Sequence, residues 1–224
     1  MHRVYILLIL SMGLMNSYAQ TDTLKKVPYN SDFRFKEGIY LNFDQVKNNR
    51  PLAKSRIIAD IDPDDVRFFD VALSGKTFSY YDDLGMKRDV AVKSIWGFSR
   101  NGKLYLRMND TYNPISYVGS ICHFIANITV YQPSYYDPYY YNQYYYYRNW
   151  NTANQPTSTE MRQFIMDFST GKILDYDEDN LEVLFMRDPQ LHDEYAALSK
   201  KKKDQMKFFY IRKFNDRNPL MIPN

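Results

Sequence analysis

Between Lys54 and Asp175 the apolar residues recur with a period of two, and turn-forming groups break the pattern every few residues. Short strands joined by tight turns must pair antiparallel, because a parallel pair needs a long crossover, usually a helix, and none is written here. The candidate strands are Ser55–Ile61, Phe68–Leu73, Lys76–Tyr81, Lys87–Val92, Ser94–Arg100, Lys103–Met108, Ile115–Val118, Ser120–Tyr131, Met161–Ser169 and Lys172–Asp175. Asn101-Gly102 is the strongest hairpin signal, since both residues accept the positive φ of a type I′ turn. Asp83-Leu84-Gly85 and Ser169-Thr170-Gly171 make weaker versions of the same argument.

Both flanks read as helical. Gly38 to Pro51 suits a helix of two turns with Asn42 or Asp44 as N-cap, and Tyr40, Phe43 and Val46 share one side. After Asp175, Asp179 and Glu182 form an acidic capping box for a short helix through Met186. Asp188 then caps a second helix with Pro189 in its first turn, where a missing amide hydrogen does no harm. Leu191, Tyr195, Leu198, Met206 and Phe209 mark its apolar face, which Lys202 interrupts, and it ends near Phe214–Asn215. The predicted fold is α+β: an antiparallel sheet or small barrel, a short N-terminal helix and C-terminal helices. One domain is expected over 37–215, with its helical part at 178–215, a flexible lead-in at 20–36 and a tail at 216–224.

The first nineteen residues read as an export signal: Arg3, the apolar run Val4–Met15, and the small-x-small site Ser17-Tyr18-Ala19 before Gln20. That run falls short of the roughly 20 residues a membrane span needs. The mature chain is therefore expected to be soluble and exported, to the periplasm or the cell surface; an uncleaved signal acting as an anchor is the alternative. Cys122 is the one cysteine, so no intramolecular disulfide can form and no thiol stands near the cleavage site for lipid attachment. Without Arg3, 28 Lys and Arg face 26 Asp and Glu, which argues against a nucleic-acid partner. The basic run Lys200–Lys203 reads as a solvated helix face.

Ten of the 22 tyrosines crowd into Tyr131–Tyr147. The stretch 132–159 contains Pro133, Pro138 and Pro156 but no Val, Ile or Leu, and so reads as a loop insertion between two strands. Tyrosine offers a flat face and a hydroxyl while losing few rotamers on ordering, which suits recognition of sugars, peptides or proteins. The candidate ligand contacts are Tyr135, Tyr136, Tyr139, Tyr140, Tyr141, Tyr144, Tyr145, Tyr146, Tyr147 and Trp150. Compositional bias without a role is the competing reading.

Catalytic signals are sparse. No Gly-x-Ser-x-Gly elbow, His-Glu-x-x-His or phosphate-binding glycine loop occurs. Cys122 and His123 are neighbours on a strand, so their side chains point to opposite faces and cannot act as nucleophile and base together. Asp60–Asp65 and Asp175–Asn180 space oxygen ligands like a calcium loop, but lack its glycine and its terminal glutamate, with Val71 and Met186 in the last place. A carboxylate turn and an acidic helix cap are the simpler readings. Trp96 reads as core. No catalytic residue, metal ligand or cofactor is assigned.

Three segments carry a resemblance: Gly38-Ile-Tyr-Leu-Asn-Phe-Asp-Gln-Val-Lys-Asn-Asn-Arg-Pro51, Ser94-Ile-Trp-Gly-Phe-Ser-Arg-Asn-Gly-Lys-Leu-Tyr105 and Phe209-Tyr-Ile-Arg-Lys-Phe-Asn-Asp-Arg-Asn-Pro-Leu220. Together they are similar to an uncharacterised exported protein family of Bacteroidota. The resemblance implies a Gram-negative envelope setting and brings no activity with it. The expected role is a non-enzymatic binding or structural protein of the envelope, with an envelope protein or glycan as partner. A glycan hydrolase using two acidic residues and a subunit of an outer-membrane or surface complex are the alternatives.

Overall fold

A computed structural model describes residues 25–131 and 157–223, so the stretch read as an export signal and most of the tyrosine tract lie outside the described residues. The strands are β1 (Lys26–Pro28), β2 (Gly38–Tyr40), β3 (Ile57–Ile58), β4 (Thr77–Tyr81), β5 (Lys87–Ala91), β6 (Gly97–Arg100), β7 (Lys103–Met108), β8 (Thr111–Pro114), β9 (Ile121–Tyr131), β10 (Thr157–Asp167), β11 (Lys172–Asp175) and β12 (Met221–Pro223). The helices are α1 (Phe43–Lys47), α2 (Phe68–Ala72), α3 (Glu178–Phe185), α4 (Pro189–Ala196) and α5 (Lys200–Arg217). The strands pair antiparallel in the orders β2-β6-β7-β8, β11-β10-β9, β3-β4-β5 and β1-β12. This is the expected α+β architecture. Among the described residues the sheets stay open, and no barrel closes.

Strand alternation distributes the core over successive layers, because residues next to each other in a strand face opposite ways. On β9, Cys122 and Phe124 join a cluster with Leu104, Leu106 and Tyr40, whereas Ile121 turns the other way onto Leu181, Leu191, Ile211 and Phe214 of the C-terminal helices. On β7, Tyr105 leaves its neighbours Leu104 and Leu106 to pack with Ile39, Phe98, Phe69 and Phe78 in a third cluster. Both the β9–β11 sheet and the β2-β6-β7-β8 sheet are thus covered on two sides. Each fully buried Leu, Ile or Phe contributes about 1.5–3 kcal/mol.

Asn101 and Gly102 adopt φ of 53° and 74°, as a type I′ turn between β6 and β7 requires. Gly38 is fixed by crowding: a Cβ there would stand 2.3 Å from the Leu52 carbonyl oxygen.

Several expectations need correction. Where the pattern suggested a strand over Phe68–Leu73, Phe68–Ala72 forms helix α2, and the reason is tertiary. Phe68 and Phe69 are both buried in one cluster with rings 5.4 Å apart, and only a helix can turn two successive side chains to the same side. Gly38–Tyr40 pairs with β6 as a strand, so the N-terminal helix begins later and is shorter. The strand expected at Ile115–Val118 lies earlier, at Thr111–Pro114, where an edge position tolerates proline. Residues 157–159 belong to β10 rather than to the loop insertion.

The ends also differ from expectation. Lys26–Pro28 pairs with Met221–Pro223, so strands occupy the stretches read as lead-in and tail, and Phe35 and Ile222 are core. The cap of α3 is Asp177, two residues before the expected one, with its carboxylate accepting from the Asn180 N–H. The final helix is two, because a break at Ala197–Ser199 lets α5 fold back on α3 and α4.

Candidate binding groove

The motif residues of the three resembling segments turn out to secure the fold. Asn42 caps α1, Gln45 accepts from the Leu41 N–H at 2.6 Å, and Asn49 accepts from the Lys36 N–H at 2.9 Å. At the other end, the Asn215 amide accepts from the Ile121 N–H and donates to the Ile121 carbonyl, both at 2.8 Å. Arg217 pairs with Asp188 at 2.7 Å, and Ser120 donates to the Asn218 carbonyl at 2.6 Å. Trp96 is half-buried, edge-on to Tyr40.

The acidic runs are local turn and cap chemistry. Asp62 accepts from the Asp64 N–H and Asp65 from the Arg67 N–H just before α2. The most buried carboxylates are engaged too. Burial raises the Asp167 carboxyl, but hydrogen bonds from Ser169 and Thr170 and the charge of Arg187 outweigh it and hold the group below its usual value.

Cys122 and His123 do face opposite ways. Cys122 is fully buried, its thiol donates to the Gly119 carbonyl, and burial pushes its pKa up to about 12, so it is inert as a nucleophile. His123 faces the C-terminal helices, with its Nε2 at 2.9 Å from the Gln163 side-chain oxygen and its ring between Tyr176 at 4.8 Å and Phe208 at 5.6 Å. Burial lowers its pKa, partly offset by Gln163. His192 lies elsewhere, on α4, beside Asp193.

The two partners of His123, Gln163 and Tyr176, belong to an open groove of about 540 Å³, lined also by Met161, Arg162, Asp175, Asp204 and Lys207. Three separate stretches build it. β10 supplies one side, the chain leaving β11 supplies Tyr176, and α5 supplies Asp204 and Lys207. The Lys207 ammonium sits 4.5 Å from the Tyr176 ring centre, donates to the Tyr176 carbonyl at 3.1 Å and pairs with Asp204 at 2.8 Å. It therefore fixes the aromatic floor. Burial raises the Tyr176 phenol, and the Asp204 charge adds to that.

The groove exists because β11 is short. It pairs with β10 only over Phe164–Asp167, and one further bond, from the Tyr176 N–H to the Gln163 carbonyl at 3.3 Å, ends the contact. β9 by contrast accompanies β10 along its whole length.

Of the residues named from sequence, the tyrosines and Trp150 lie outside the described residues; they belong to the segment joining Tyr131 to Thr157, which oppose each other across the hairpin. The groove residues Met161, Gln163, Tyr176, Asp204 and Lys207 carried no sequence signal as a group. Knowledge of the β9–β10 register is what would have placed His123 beside Gln163. Compared with models of protein families, with curated proteins and with solved structures, the chain shows no match to any.

Proposed function

We propose that the chain is an exported, non-enzymatic binding protein of the cell envelope, and that the groove between β10 and α5 is its recognition surface. The observation that carries the reading is the chemistry of the groove: an aromatic floor and polar side chains converge there, while the adjoining imidazole of His123 is partnered by an amide. A base without a nucleophile or an orienting carboxylate is poorly equipped for acyl transfer. Concave surfaces of this size with a few convergent polar groups suit ligand capture. Export rests on the signal-like first nineteen residues and on the Bacteroidota resemblance.

A glycan hydrolase is the second reading, favoured by the two carboxylates Asp175 and Asp204 in the same groove. Its acid would need an apolar setting that keeps a proton at neutral pH, and both side chains are exposed to water. The tyrosine tract, tethered to the far end of the same hairpin, keeps its reading as an added binding segment.

A photo-crosslinking amino acid placed at Met161, in cells of the source, tests the proposal. Covalent capture of an envelope component at that position, reduced when Tyr176→Ala is added, is the expected result. Equal labelling with a probe at Leu84, in the exposed turn between β4 and β5, removes the groove as a recognition surface. Turnover of purified cell-wall glycan, abolished by Asp204→Asn, would favour the hydrolase instead.

A further inference from the structure

We propose that the free side of β10 at Thr159–Met161 takes up an extended peptide by strand addition, and that the peptide it fits alternates basic and apolar side chains. This rests on the groove being the binding surface, and goes further by naming what lies in it.

The backbone provides the first argument. The Gln163 carbonyl points toward the β11 side, where it accepts from Tyr176. Alternate residues of a strand aim their N–H and C=O the same way, so Met161 and Thr159 also direct theirs outward, while residues 160 and 162 face β9. Past Tyr176 the chain turns away into α3 under the Asp177 cap, and among the described residues no strand pairs with Met161 and Thr159 on that side. Met161 is 73% exposed. Donors and acceptors alternating at strand spacing are matched by another strand, which is the basis of peptide recognition at sheet edges.

The two walls of the lane then specify the side chains. On the helix side lie Met161, the Tyr176 ring and the stem of Lys207, whose ammonium is already held by Asp204. That wall suits an apolar residue beside Met161. On the other side lie Glu160, Arg162 and Asp175; Arg162 is spent on Glu160, with bonds of 3.1 and 2.8 Å, which leaves Asp175 as the charge in excess. Residues flanking the apolar one face this wall, and basic side chains complement it. A second copy of the same edge fits less well. The antiparallel pairing that uses both Thr159 and Met161 sets Glu160 against its own symmetry mate, and like charges directly opposite are destabilising.

The probe is a short capped peptide alternating lysine and valine, titrated calorimetrically into the chain lacking its signal segment. Binding is expected, weakened by about tenfold or more when alternate amides of the peptide are N-methylated, since a strand edge then loses its partners. Met161→Pro should weaken it similarly while sparing the β9 ladder, because the lost N–H points outward. Asp175→Asn should reduce both affinity and its salt dependence. The N-methylated arm leaves the protein unaltered, so it decides even if Met161→Pro fails to fold. No binding by the parent peptide, equal binding by the methylated one, or a dimer in sedimentation that Met161→Pro dissociates would each overturn strand addition. A glycan captured at Met161 with no peptide binding removes this inference and leaves the groove proposal standing.

Discussion

Asn215 shows how one side chain can secure two elements. Its amide meets the N–H and the carbonyl of Ile121 at the start of β9, and Gly119 leaves room for it: a Cβ there would lie 2.3 Å from the Asn215 nitrogen. Asn215→Ala strands both backbone groups, and we expect a loss of about 2 kcal/mol, seen as a fall of about 5 °C in Tm. An unchanged Tm would mean water replaces the amide. His123 gives a pH signature. Its folded pKa is depressed by burial, so the unfolded chain binds the proton first. Stability from this group is therefore complete above about pH 6.5, the unfolded value, and declines as the pH falls through the folded one. Denaturant titrations at pH 7 and pH 5 should show a larger drop for the native chain than for His123→Gln; equal drops would exclude His123 as the cause. The polar residues could be read from the sequence, but not their partners, since Asn215 and Ile121 lie far apart in the chain.

At the scale of elements, the signals that proved legible were those contained within a few residues. Asp188-Pro189 opens α4 as expected, and Asn101-Gly102 turns β6 into β7. Asp188 also holds Arg217, so its cap and its ion pair can be separated. Asparagine caps as well as aspartate, and Asp188→Asn should therefore cost less than Asp188→Ala, for which we expect about 2 kcal/mol from the lost cap and the unpaired Arg217 together. Equal losses in urea denaturation would show that the ion pair with Arg217 alone matters. Helix α2 was not legible, because Phe68-Phe69-Asp70-Val71 has the local composition of a strand and only the shared burial of both phenylalanines selects the helix. The same holds for β1 and β12, each three residues long and held by the other.

For the whole molecule, the β9–β10 hairpin lies at the centre, with one face on the β2-β6-β7-β8 layer and the other on α3–α5. Its register sets Val130 opposite Ser158 with their amides and carbonyls turned to each other, so a two-residue Asn-Gly turn in place of 131–157 can close it without shifting any side chain to the wrong face. Shortening a loop lowers its closure entropy cost, and Tm should stay level or rise; a clear fall would show that the tract contributes packing. The sequence by itself determined an antiparallel α+β chain with helices at its C-terminal end, because period, turn residues and caps act through the backbone within a few positions. Only the tertiary structure decided where β11 stops beside β10, and so left Met161 and Thr159 without a strand partner on that side among the described residues. That surface depends on which strands meet and for how long, a matter of long-range pairing and burial that no local pattern records.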